Sequence, residues 1–277
     1  MRLLPGFLSL LLGVGVAAAG GPPSFSGKRA YAHVRALVAF GPRAPGSQGI
    51  QKARAYLRRE LRQAGVDVEE VKFVAQTPRG AVSMTNLVAK IAGKHTDIVV
   101  LGGHYDTVDT RRIPNFVGAN DGGSSAAVLL ELARVLAARR NDLSIWVVFF
   151  DGEEALRQYS ARDGFYGSRY LAERWRQQGI LPRIRAFILL DMIGDRDLRL
   201  PRGVSEDPDE QRPDIVERAR RRLALPGHVV LELELLRRVQ GEDHPSGHRS
   251  VVLAVVREVA PDLVRIARLL DVVDAAL

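Results

Sequence analysis

Apolar positions across residues 31–64 recur at helical intervals and are broken by Gly41-Pro42-Arg43-Ala44-Pro45-Gly46-Ser47, which predicts two helices joined by a loop. The period then shortens. Residues 66–74 and 82–91 alternate apolar and polar in the manner of antiparallel strands, with the turn signal Thr77-Pro78-Arg79-Gly80 between them, so a hairpin is expected. Three later runs, at 98–101, 143–150 and 186–190, are almost continuously apolar, as strands buried on both faces require. Helical patterns at 124–139 and 168–178 would cover such a sheet. The predicted fold class is α/β: a three-layer α/β/α sandwich around a central mixed, mostly parallel sheet. Beyond Asp195 the pattern weakens. A polar, proline-containing stretch at 201–214 precedes a helix at 215–225, an apolar strand follows at 229–236, and an amphipathic helix is expected at 262–277.

Composition fits this picture: 277 residues with 46% hydrophobic and 26% charged are enough for one full-sized packed domain and exclude large-scale disorder. No interior run approaches the roughly 20 apolar residues of a membrane-spanning helix. The N-terminus carries Arg2, an apolar run at 7–16 and Ala17-Ala18-Ala19, which reads as a signal peptide over 1–19 and predicts a secreted or periplasmic protein without stable membrane insertion. Residues 20–277 would form a single domain whose part from about 196 onward is atypical. There are no cysteines, so disulfides, thiolate metal sites and cysteine nucleophiles are excluded. Net charge is +8, but the excess sits in arginine-rich helical stretches such as 218–222 without interleaved aromatics, and nucleic acid is not expected as a partner.

The chemical signal lies at the strand ends. The run at 98–102 leads into His104-Tyr105-Asp106, the run at 143–150 into Asp151-Gly152-Glu153-Glu154, and the run at 186–190 into Asp191. Carboxyl ends of strands line the ligand crevice in open α/β sheets, so these groups should converge. Converging carboxylates repel one another unless a cation lies between them, and a set of oxygens and imidazole without thiolate suits zinc. Gly118-Ala119-Asn120-Asp121-Gly122-Gly123-Ser124-Ser125 adds a glycine-rich turn into a helix, where Asp121 is either a helix cap or a ligand; beside the other three elements, the ligand reading is favoured. Of the six histidines, His33 on the first helix, His95 in a turn beside Lys94 and His228 after Pro226-Gly227 read as solvent-exposed. The loop Gly241-Glu242-Asp243-His244-Pro245-Ser246-Gly247-His248 holds two acids and two histidines, either of which could reach a metal, a plain surface loop being the other reading.

Taken together, Gly103-His104-Tyr105-Asp106, Ala119-Asn120-Asp121, Phe149-Phe150-Asp151-Gly152-Glu153-Glu154-Ala155 and Leu189-Leu190-Asp191-Met192-Ile193-Gly194 resemble the zinc aminopeptidase and glutaminyl cyclase family. Thr77-Pro78-Arg79-Gly80 ahead of Asn86-Leu87-Val88, Phe116-Val117-Gly118-Ala119 and the segment 160–172 are similar to the cyclase branch. The resemblance implies Asp121 and Glu154 as zinc ligands and Glu153 as the proton-transfer residue. Asp191 would bind the substrate amine in a cyclase and metal in a two-zinc aminopeptidase; Asp243 resembles a supporting acid, and His104 a ligand of the aminopeptidases' second zinc. The family's C-terminal Trp-His-Thr is absent, and His248 lies nearest to its place, ahead of His244 as the replacement. The implied activity is cyclisation of an N-terminal glutamine of a peptide or protein, with one zinc; the alternatives are a two-zinc aminopeptidase and an inactive binding module with a damaged metal site.

Overall fold

The computed structural model describes residues 22–195 and, as backbone, the strand at 251–256. The expected signal peptide, the helices at 215–225 and 262–277, the strand at 229–236, His228, Asp243, His244 and His248 lie outside the described residues.

The chain opens with helices α1 (Gly27–Ala39) and α2 (Gln48–Gln63), each begun by a serine that accepts a hydrogen bond from the first turn: Ser26 Oγ from the Arg29 amide and Ser47 Oγ from the Ile50 amide. The hairpin of β1 (Asp67–Thr77) and β2 (Gly80–Ile91) turns between Thr77 and Gly80, as the turn residues predict. Next come β3 (His95–His104), α3 (Gly123–Ala137), β4 (Leu143–Phe150), α4 (Tyr166–Gln177) and β5 (Ile184–Asp191), and the last described strand is β6 (Val251–Val256).

These strands form one sheet in the order β1-β2-β4-β3-β5-β6. The predicted mixed sheet is present, with its parallel part confined to the central β4-β3-β5; the pairs β1-β2, β2-β4 and β5-β6 are antiparallel, a larger antiparallel share than expected. Continuous apolarity reports burial on both faces, which the central strands have, and cannot report the direction of the flanking ones. Leu87, Val99, Leu101, Ile145, Val147 and Phe149 point to the face covered by α1, α2 and α3, while Val88, Ile98, Val100, Trp146 and Val148 meet Leu171 and Trp175 of α4 on the other. Helices thus lie on both faces, and the three layers follow from period-2 alternation of side chains that are apolar in both directions.

Two histidines differ from expectation. His33 is half-buried, with Nδ1 2.6 Å from Tyr56 Oη, because α1 turns that face toward α2. His95 is exposed, but it opens β3 instead of sitting in a turn.

Candidate metal and catalytic site

Because β3, β4 and β5 run parallel, their carboxyl ends share one edge of the sheet, and the polar residues that follow them meet there. His104 closes β3 and is 3% exposed. Its Nε2 lies 3.0 Å from Asp121 Oδ1 and 3.2 Å from Asp191 Oδ1, while Nδ1 faces Asp106 Oδ1 at 3.4 Å. One ligand atom each from His104, Asp121 and Asp191 lies within 4.8 Å of the others. Glu153 approaches from β4, with Oε2 4.0 Å from His104 Nδ1.

Asp121 is held as a ligand would be. Helix α3 begins immediately after it, but the capping position is Gly122 at φ 71, with no side-chain cap, so the carboxylate is turned to the imidazole. A Cβ at position 122 would stand 2.3 Å from the Asp106 carbonyl oxygen, and this close approach is why glycine follows the aspartate. The same loop is tied to the segment after Asp191: the Ile193 amide donates to Ser124 Oγ at 3.0 Å, and the Gly194 amide to Asn120 Oδ1 at 2.8 Å.

The Glu153-Glu154 pair is fixed from two sides. Asp106, wholly buried, accepts from the amides of Glu153 (3.1 Å) and Glu154 (3.2 Å). The Tyr159 hydroxyl lies 3.1 Å from Glu153 Oε2 and 2.8 Å from Glu154 Oε2. Tyr159 rides on a loop gathered by Asp163, whose carboxylate accepts the amides of Leu156, Arg157 and Gln158 and the Tyr166 hydroxyl.

Behind this edge Asp151 is wholly buried and accepts from the Thr85 amide and the Arg54 guanidinium. Arg43 is also wholly buried, on backbone carbonyls. Sequence reading assigned no role to Tyr159, Asp106 or Arg43. Asp106 stood inside a recognised motif and Tyr159 beside one, whereas the proline-glycine turn around Arg43 signalled only a loop between two helices.

The electrostatics ask for a cation. Burial pushes Glu154 up to about 8, helped by repulsion from Asp121, and burial also raises Glu153 well above the ordinary carboxylate range, with Asp191, Asp106 and Glu154 adding to the effect. Burial alone would depress His104, but the charge of Asp191 and hydrogen bonds to Asp106, Asp121 and Asp191 hold it well above its usual value. A divalent ion among these donors would relieve the repulsion. The donors also fit zinc in kind: carboxylate oxygens with an imidazole whose far nitrogen is steadied by a second carboxylate, Asp106. Asp121, Asp191, Glu153, Glu154 and His104 are brought together as the sequence predicted.

Residues 86–223 match the family described as peptidase family M28. A glutaminyl cyclase structure from an Acidobacteriales bacterium is 40% identical, with a TM-score of 0.63 over 75% of this chain and 71% of that one. The chain belongs to the glutaminyl cyclase branch of the M28 metallopeptidase family. The glutaminyl-peptide cyclotransferase of Drosophila melanogaster is 35% identical over 164 residues, which are 56% of this chain and 46% of that protein; the chain therefore spans about half the length of this curated relative. A zinc-dependent exopeptidase from Parabacteroides distasonis is 27% identical, with a TM-score of 0.57 and 66% of both chains covered.

Proposed function

We propose that this chain is a zinc-dependent glutaminyl-peptide cyclotransferase, which converts an N-terminal glutamine of a peptide or protein to pyroglutamate and releases ammonia. The observation that carries the reading is the position of Glu153: it borders the His104, Asp121 and Asp191 cluster, with its side chain 22% exposed and so open to substrate. Asp121 and Glu154, with His248, would hold the ion. His248 stands three positions before Val251, and Val251 pairs with Asp191, so the chain enters the sheet at the same edge, which favours that assignment. A bound zinc supplies positive charge opposite the side-chain amide oxygen of the glutamine.

Asp191 receives the substrate α-amine and holds it in line with the amide carbon. Glu153 takes a proton from that amine as its nitrogen bonds to the amide carbon, then delivers the proton to the amide nitrogen as the old carbon–nitrogen bond breaks and ammonia leaves. One carboxylate can serve both transfers because the entering and leaving nitrogens share a carbon. Asp243 would support the site through hydrogen bonds.

One observation favours a second reading, hydrolysis by a two-zinc aminopeptidase: His104, Asp121 and Asp191 can together meet one ion, with Asp121 shared. Incubation with a peptide beginning with glutamine separates the two. Ammonia release with one zinc per chain supports the cyclase; release of free glutamine with two supports the peptidase. We also propose that the chain is exported after cleavage near Ala19. The described helices include none long and apolar enough to cross a membrane. The chain is fastened to α3 and the turn after it from just beyond that point, by Arg134 of the helix to the Ser24 carbonyl and Arg139 of the turn to the Pro23 carbonyl.

A further inference from the structure

Arg43 lies in the turn between α1 and α2, yet it is wholly buried and forms no ion pair among the described residues. Its guanidinium donates to backbone only: Nε to the Tyr105 carbonyl at 2.9 Å, Nη1 to the Val117 carbonyl at 2.6 Å and Nη2 to the Gly118 carbonyl at 2.8 Å, with a long contact of 3.5 Å from Nη1 to the Leu37 carbonyl. Its own amide donates to Thr107 Oγ1 at 2.9 Å, and its carbonyl accepts from the Thr107 amide.

The gripped peptides are the two approaches to the metal site. Tyr105 directly follows His104, and Val117-Gly118 lies just ahead of Asp121. The space between them has no slack: at Gly118, φ +51, a Cβ would stand 2.5 Å from the Asp121 carbonyl oxygen, 2.5 Å from Thr107 Cγ2 and 3.1 Å from Arg43 Nη2. A planar fork of fixed donors can span two segments at a set separation; a lysine, with one point of donation, cannot. A charge buried this deeply without a contacting acid is costly to keep, and a purely packing role would be served by an apolar side chain.

We infer that Arg43 is a positioning residue for the metal site, clamping the end of β3 to the loop of Asp121 so that the Asp121 carboxylate is held beside His104 where the ion would bind. This rests on the zinc reading above. The test compares zinc dissociation constants, by chelator competition, for the wild-type chain, Arg43→Lys and Leu37→Ala, alongside the melting temperature of each metal-free protein. Leu37 is buried on α1 and serves as a stability control, because its hydrogen bond with Arg43 is made by the backbone carbonyl, which Leu37→Ala keeps. The expected result is zinc bound about 10- to 100-fold more weakly by Arg43→Lys, the size seen when groups that orient ligands are lost, and unchanged by Leu37→Ala although it melts lower. Wild-type affinity in Arg43→Lys, or equal weakening in Leu37→Ala, would overturn the assignment. Should Arg43→Lys not fold, Thr107→Val loosens the same clamp from its other side; weakened zinc supports the assignment and wild-type affinity overturns it. A wild-type chain that binds no zinc would refute the metal reading itself, and this assignment with it.

Discussion

Each side chain at the sheet edge has a separable duty, which single substitutions can read. Asp121→Ala and Glu154→Ala should each strip zinc from the purified protein, since a site of three protein ligands does not hold the ion tightly with two; metal analysis checks this, with the far-UV spectrum expected unchanged because the sheet core is apolar. Tyr159→Phe leaves Glu153 and Glu154 without their shared hydroxyl and should lower kcat more than it raises KM, by roughly tenfold for one lost hydrogen bond to charged groups, as steady-state kinetics would show. A pH effect belongs to His33. Burial, the largest influence, lowers its pKa below the ordinary 6.5, outweighing the pull of Glu60 and Glu131. The unfolded chain therefore takes up this proton first as pH falls, so stability present above 6.5 is lost toward the lower folded value. His33→Gln should flatten the fall in urea midpoint as pH drops below 6.5. The acids and His104 were legible in the sequence because each ends an apolar run or sits in a glycine turn. Tyr159 and Arg43 were not, because their partners are brought near only by folding.

At the level of elements, what positions the site is the close meeting of β3 with the start of α3. Gly103, one residue before His104, has no room for a side chain: a Cβ would stand 2.9 Å from the Leu190 carbonyl oxygen, 2.9 Å from Ser125 Cβ and 3.1 Å from Leu129 Cδ1. Gly103→Ala should therefore push α3 from the sheet, lower stability by about 1–3 kcal/mol as overpacking does, and weaken zinc at the same time; urea unfolding and metal analysis read the two effects. Hairpin, central strands and four helices were all legible, since a change of period from 3.6 to 2 and back marks each border. The pairing order was not. Nothing local tells β4 to insert between β2 and β3, and nothing in a run of apolar residues gives its direction.

For the whole molecule, the described part already contains five of the seven side chains the sequence proposes for catalysis and metal binding, Asp243 and His248 being the others. It also places α1 against α3 through Glu131, which accepts from the Ser26 amide and from Arg134, so the fold is closed close to its expected mature N-terminus. Under the proposed export, the mature chain should begin near Gly20; intact-mass analysis of secreted material checks that end, and retention of Met1 would contradict it. The central claim is that zinc and Glu153 act on glutamine together while Glu153 leaves the metal alone. Its most direct test is Glu153→Gln, assayed for ammonia release from a peptide beginning with glutamine and for zinc per chain. Turnover should fall by about 10² to 10⁴-fold with zinc at the wild-type level, the size of a lost positioned proton carrier. Undiminished ammonia release, or loss of the metal along with activity, would contradict it.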